Sequence, residues 1–139
     1  MLSYSIFILI CVYFSYQDIA YGEIKRIYLY AVIAVTLCVK APFAAWESFE
    51  GAVLGMLLFL FAYYISKKRL GLADVWFSGF IGAFLGIVKW YAAVSIACIL
   101  ALLFFICGRN KQKTLPFIPF LSIGACSIEL IALLFGLNI

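Results

Sequence analysis

From Leu70 to Cys107 the chain is almost continuously apolar, broken past Asp74 only by Lys89. At about 1.5 Å per residue, a single helix of that length would overshoot the hydrocarbon core of a bilayer by roughly 25 Å. The run therefore predicts two membrane-crossing helices joined by a tight turn, with Lys89, Trp90 and Tyr91 supplying its charge and interfacial aromatics. Composition agrees, since 68% of the residues are hydrophobic and 12% charged, against roughly 45–50% apolar in soluble domains. No stretch is polar and long enough to fold separately in water, so residues 1–139 are read as one membrane domain whose general partner is lipid. The formal charge of +4 is read as basic residues flanking spans rather than as a surface for nucleic acid.

The rest of the chain divides in the same way. Leu2–Gln17 is uncharged, ends at Asp18 and can continue as helix to Tyr21; with no basic segment or small-residue cleavage site, it is expected to be a retained first span. Ile27 to about Ala45 is the second, with Lys40 placed to snorkel and Pro42 to loosen its end. Trp46–Glu50 reads as a short interfacial loop, Gly51–Ser66 as the third span, and Leu115–Ile139 as a sixth, opened by Pro116 and Pro119. The expected fold is an all-α, polytopic membrane bundle of six transmembrane helices.

Loop charge tests that count. With six spans, the first, third and fifth loops carry Lys25 and Arg26, then Lys67, Lys68 and Arg69, then Arg109, Lys111 and Lys113, leaving only Lys40 and Lys89 opposite. Merging spans four and five would even the two sides. The positive-inside rule thus favours six crossings with both termini outside the cytoplasm, and this places Asp18, Asp74 and Pro116–Phe120 together at the cytoplasmic face.

An acid at membrane depth costs roughly 2.5–3.5 kcal/mol on insertion scales, so Asp18 and Asp74 need a reason. Two carboxyl groups that meet cannot both ionise easily; one remains an acid while the other is a base, a pair able to activate water and protonate a departing amine. Gly71 and Ala73 are small enough to admit an extended substrate backbone beside Asp74. A plainer reading stands beside this one: Asp74 caps a helix, and Asp18 pairs with Lys25 or Lys67. Glu129 lies about 15 Å deeper than Pro119 along a helix and is read as a structural hydrogen-bonding group.

The five cysteines lie in or beside apolar segments, with no CxxC pair and no histidine, so they are read as small buried hydrophobes and no metal or other cofactor is expected. Gly51/Gly55 and Gly82/Gly86 have the spacing of close helix packing, while Trp46, Trp76 and Trp90 fall where interfacial belts are expected.

Asp18, Gly71-Leu72-Ala73-Asp74 and the stretch Leu115–Ala125 together resemble the type IV prepilin peptidase family, intramembrane aspartic proteases of the GxGD type. The resemblance implies that Asp18 and Asp74 are catalytic and that Gly71, Ala73, Pro116, Phe117, Pro119 and Phe120 line the active site or bind substrate. It further implies an endopeptidase of a bacterial inner membrane that removes the short basic leader of prepilins or pseudopilins. Three departures stand out: Ala73 replaces the usual second glycine, Trp76 a common lysine, and Ile24-Lys25-Arg26 a usual Ile-Pro-Asn. The cysteine-containing cytoplasmic region linked to N-methylation is absent from this sequence, so cleavage alone is expected. The rival reading is a non-enzymatic transporter or assembly factor whose aspartates bind a proton or cation, although transporter acids belong more naturally near the midplane.

Overall fold

The computed structural model describes residues 2–21, 24–66, 70–107 and 117–135, with five helices and no strand among them. These are α1 (Leu2–Tyr21), α2 (Arg26–Ile65), α3 (Leu72–Leu85), α4 (Ile87–Cys107) and α5 (Ile118–Phe135). Among the described residues four stretches are long and apolar enough to cross a membrane: Tyr4–Tyr21, Trp46–Ile65, Ile87–Phe104 and Ile118–Phe135. Ile27–Lys40 and Leu72–Leu85 are apolar but shorter. The loop residues Gly22, Glu23, Lys67–Arg69 and Arg109–Thr114, together with Leu115 and Pro116, lie outside the described residues, as does the Pro42 side chain.

The chain forms two compact units. One contains residues 25–91, and its centre is α3. Asp74, Val75, Phe77 to Ala83 and Leu85 are all buried, because beyond Asp74 this helix offers only apolar or small side chains on every side. Small residues set its distance from α2. A Cβ on Gly51 would overlap the Gly82 carbonyl, and one on Gly55 would lie 2.9 Å from the Ser78 carbonyl oxygen. Three of the four glycines with packing spacing therefore serve close approach.

Gly86 does not. A Cβ there would meet nothing within 4 Å, but its φ of 76° lies where other residues are strained. It ends α3, its N–H donating to Gly82 O, and its own carbonyl accepts from Trp90 N–H as α4 begins. The expected turn at Lys89–Tyr91 thus falls earlier, at the residue with the required backbone freedom. Trp90 is correspondingly 2% exposed rather than interfacial. Its indole N–H donates to Ser78 Oγ at 3.0 Å, and that hydroxyl donates to Gly55 O at 3.3 Å.

The expected Trp46–Glu50 loop is helical instead. Yet α2 is not a straight rod. Tyr30 packs on Trp76 and Gly55 lies against Ser78; in a straight helix Tyr30 and Gly55 would stand about 37 Å apart, whereas Trp76 and Ser78 are separated by about 3 Å of rise. Tyr30 and Lys40 follow Trp76 and Phe84 in the same direction, while Gly51 and Gly55 meet Gly82 and Ser78 in reverse. The chain consequently turns back between Lys40 and Gly51, and Ile27–Lys40 and Trp46–Ile65 form two limbs against α3. Lys40 places its Nζ 4.8 Å from the Phe84 ring centroid, a cation–π contact in place of simple snorkelling.

The second unit contains residues 1–24 and 92–139. Phe7, Cys11 and Phe14 form a buried stripe along α1, and Ile118, Leu121, Ser122, Ala125 and Glu129 another along α5, both at the three-and-four spacing of one helix face. The two helices run antiparallel, with Ser15 Oγ donating to Ser122 Oγ at 2.9 Å and the Cys11 thiol hydrogen-bonded to that of Cys126. Gly124 admits the backbone of α4, since a Cβ there would overlap the Ala93 carbonyl. Cys38 and Cys98 are exposed, not buried as expected; a thiol is apolar enough to stand on the outward face of a membrane helix.

Candidate active site

Asp18 continues the packed stripe of α1, four residues beyond Phe14 and on the same face. That geometry aims its half-buried side chain at the start of α5, where the Ile118 backbone N–H donates to the carboxylate. Ile118 is the first residue of α5 and its N–H has no partner within the helix, so Asp18 completes the helix end from outside it. Of the two lysines in the plainer reading, Lys67 lies outside the described residues. The Oδ2 atom is buried and finds no hydrogen-bond partner among the described residues. A buried acceptor left without a donor is uncommon in a folded protein.

Pro119 sits inside the regular helix at its second residue. This costs nothing, because the first turn of a helix has no use for that N–H. Phe117 precedes the helix, and its carbonyl accepts from Leu121 N–H at 3.1 Å. Phe120 is half-buried with its ring centroid 5.5 Å from that of Phe104 on α4.

Asp74 lies in the first turn of α3 and is 6% exposed. Its Oδ2 accepts the Gly71 backbone N–H at 3.1 Å, while its own N–H donates to Gly71 O at 3.1 Å. The acid closes the helix end in the manner of a capping box, as the plainer reading required, and it has a further interaction besides. Gly71 serves this seat: a Cβ would stand 3.2 Å from Asp74 Oδ2, tighter than an ordinary contact. Ala73 is half-exposed beside it. Two residues on, Trp76 packs edge-on against Tyr30, with ring centroids 4.5 Å apart at 85°.

Each aspartate therefore belongs to its own unit and is oriented by one backbone N–H at a helix start. Sequence reasoning did not single out Ile118, Ser15, Ser122 or Tyr30. For Ser15 and Ser122 a signal was present, since both are polar residues within apolar spans. A backbone donor such as Ile118 leaves no trace in residue identity. Glu129 is buried on the α5 stripe beside Cys126, about 16 Å of helix from Ile118. Among the described residues no group of three His, Cys, Asp or Glu side chains is placed to hold a metal ion.

No curated protein and no solved structure matches the chain significantly. A family model does match, that of the type IV leader peptidase family, over residues 5–106. The matched region contains Asp18 and the whole Gly71–Asp74 turn and stops short of the segment that opens α5. Since it covers well over half of the sequence, this all-helical membrane protein belongs to the type IV leader peptidase family.

Proposed function

We propose that the chain is an aspartic endopeptidase of a bacterial inner membrane that cuts the short basic leader from prepilins or pseudopilins at the cytoplasmic face. The observation that carries this reading is the family match across both aspartates. Six crossings, with both termini outside, fit the reversal of α2 and the break at Gly86, and they put the loops bearing most basic residues on the side where Asp18 ends its span and Asp74 begins one. The leader stays in the cytoplasm and the apolar segment after the cut lies in the bilayer, so this is where the scissile bond would be found.

In this mechanism Asp18 and Asp74 share one proton. The ionised carboxylate takes a proton from water as its oxygen attacks the scissile carbonyl, and the protonated one donates a hydrogen bond to the carbonyl oxygen. Collapse of the tetrahedral intermediate breaks the C–N bond, and the amine leaves with a proton returned from the dyad. The backbone donors at Gly71 and Ile118 hold the carboxylates in orientation. Gly71 and Ala73 leave room for extended substrate beside Asp74, and Phe117, Pro119 and Phe120 border the site near Asp18, while Pro116 is assigned to it by the resemblance alone.

The test is co-expression with candidate prepilins, scored by loss of the leader. Asp18→Asn and Asp74→Asn should each abolish cleavage, a fall of about 10² to 10⁴ or more, while the membrane protein still accumulates. Full cleavage by either variant would sink the dyad.

A further inference from the structure

Trp76 carries a hydrogen-bond donor that the described residues do not use. Its indole Nε1 is buried and finds no hydrogen-bond partner among the described residues. The other two tryptophans show the ordinary solutions: Trp46 is exposed, and Trp90 donates to Ser78 Oγ. Buried donors are nearly always paired, and one left open calls for an acceptor that arrives from elsewhere.

Geometry limits where that acceptor sits. The edge-on packing of Tyr30 fixes the ring, and side chains on a helix lean toward its N-terminus. The donor therefore lies near the level of the first turn of α3, the turn that holds Asp74. Residues two apart leave a helix about 200° from one another, so carboxylate and indole stand on opposite flanks of the same helix end. An extended peptide rises about 3.3 Å per residue, and a helix is about 10 Å across. A strand laid over this end passes from one group to the other in about three residues.

We infer that Trp76 Nε1 binds a main-chain carbonyl of the extended substrate, about three residues from the bond cut at Asp74. The indole is neutral and only donates, so it grips the peptide backbone without selecting a side chain and neither attracts nor repels a basic leader. This rests on the reading of Asp74 as catalytic.

The experiment uses the full chain in a detergent without carbonyl groups and a peptide carrying leader and apolar segment. Trp76→Phe keeps an aromatic ring for Tyr30 and deletes the N–H. KM should rise roughly 2- to 10-fold, the worth of one neutral hydrogen bond, with kcat changed less than about twofold. Added to the inactive Asp18→Asn background, the same change should weaken binding of the peptide by the same factor. Should Trp76→Phe fail to accumulate, site-specific benzothienylalanine, which puts sulfur in place of the N–H, takes its place. Unchanged KM and affinity overturn the inference, as does an effect seen only in phospholipid vesicles, which assigns the donor to a lipid ester. If the wild-type protein does not cleave, the proposed function fails while the binding measurement still decides Trp76.

Discussion

Substituting Gly82 by alanine tests the close seat of α3 against α2. The added Cβ would overlap the Gly51 carbonyl oxygen and stand 2.6 Å from the Gly51 carbonyl carbon and 3.3 Å from Ala52 N. All three are backbone atoms, so no rotamer change relieves the overlap. Ordinary carbon contacts begin near 3.5 Å, and the limb Trp46–Ile65 would have to retreat from α3 by about 1 Å. A gap of about 0.5–1 Å forfeits a quarter to a half of the dispersion energy of each contact along the interface, and overpacking typically costs about 1–3 kcal/mol. Membrane helices associate largely through such contacts. Because Asp74 rides on α3, a shift of this size would also misplace its carboxylate, for which a loss of about 10²-fold in rate is the expected scale. Unfolding in mixed micelles of mild detergent and SDS measures the first effect, and leader cleavage the second. Gly86→Ala is the control for backbone strain alone, since its Cβ meets nothing. A Gly82→Ala protein as stable and as active as the wild type would refute the packing argument.

Trp90→Phe should destabilise by about 1–3 kcal/mol through loss of the donor to Ser78, again read by SDS unfolding; no change would mean that the Trp90–Ser78–Gly55 chain does not hold the helices together. Glu129→Gln should leave cleavage within a few-fold of wild type, and a dead variant would bring this third acid into the chemistry. With the native cysteines removed, labels at positions 68 and 111 should react only from the cytoplasm and labels at 47 and 89 only from outside, in membrane vesicles of known orientation. Reaction of position 111 from outside would overturn the six-span reading.

What the sequence revealed depended on whether a residue's identity or its neighbours carried the information. The apolar runs announced helices of membrane length, and Gly51, Gly55 and Gly82 announced close approach because only glycine is small enough. Asp18 was visible as an acid, but its direction was not, because α1 is apolar on nearly every face and the Phe7–Cys11–Phe14 stripe emerges only from the packing. Trp90 was misplaced because an indole at a predicted span end looks interfacial until its N–H is seen to meet Ser78. Gly86 has the spacing of a packing residue and serves instead as a hinge in the backbone. The helical Trp46–Glu50 segment was hidden because Trp, Glu, Ser and Phe occur as readily in a helix as in a short loop. The donors to Asp18 and Asp74 belong to Ile118 and Gly71 as main chain, which any residue but proline supplies.

The brevity of α3 bears on the lipid around its unit. Fourteen residues make about 21 Å of helix against a hydrocarbon core of about 30 Å. In the six-crossing arrangement proposed above, a span that short would draw the bilayer inward, at a fraction of a kcal/mol per Å of mismatch. A membrane thinned in this way would let headgroups and water reach the depth of Gly71 and Asp74, and the proposed substrate helix entering there would lose apolar cover where its backbone has to unwind for cutting. Membrane thickness would thereby become a control on the reaction: the proposed enzyme should run faster in short-chain lipids and slow as the acyl chains lengthen, with no residue in the site changed.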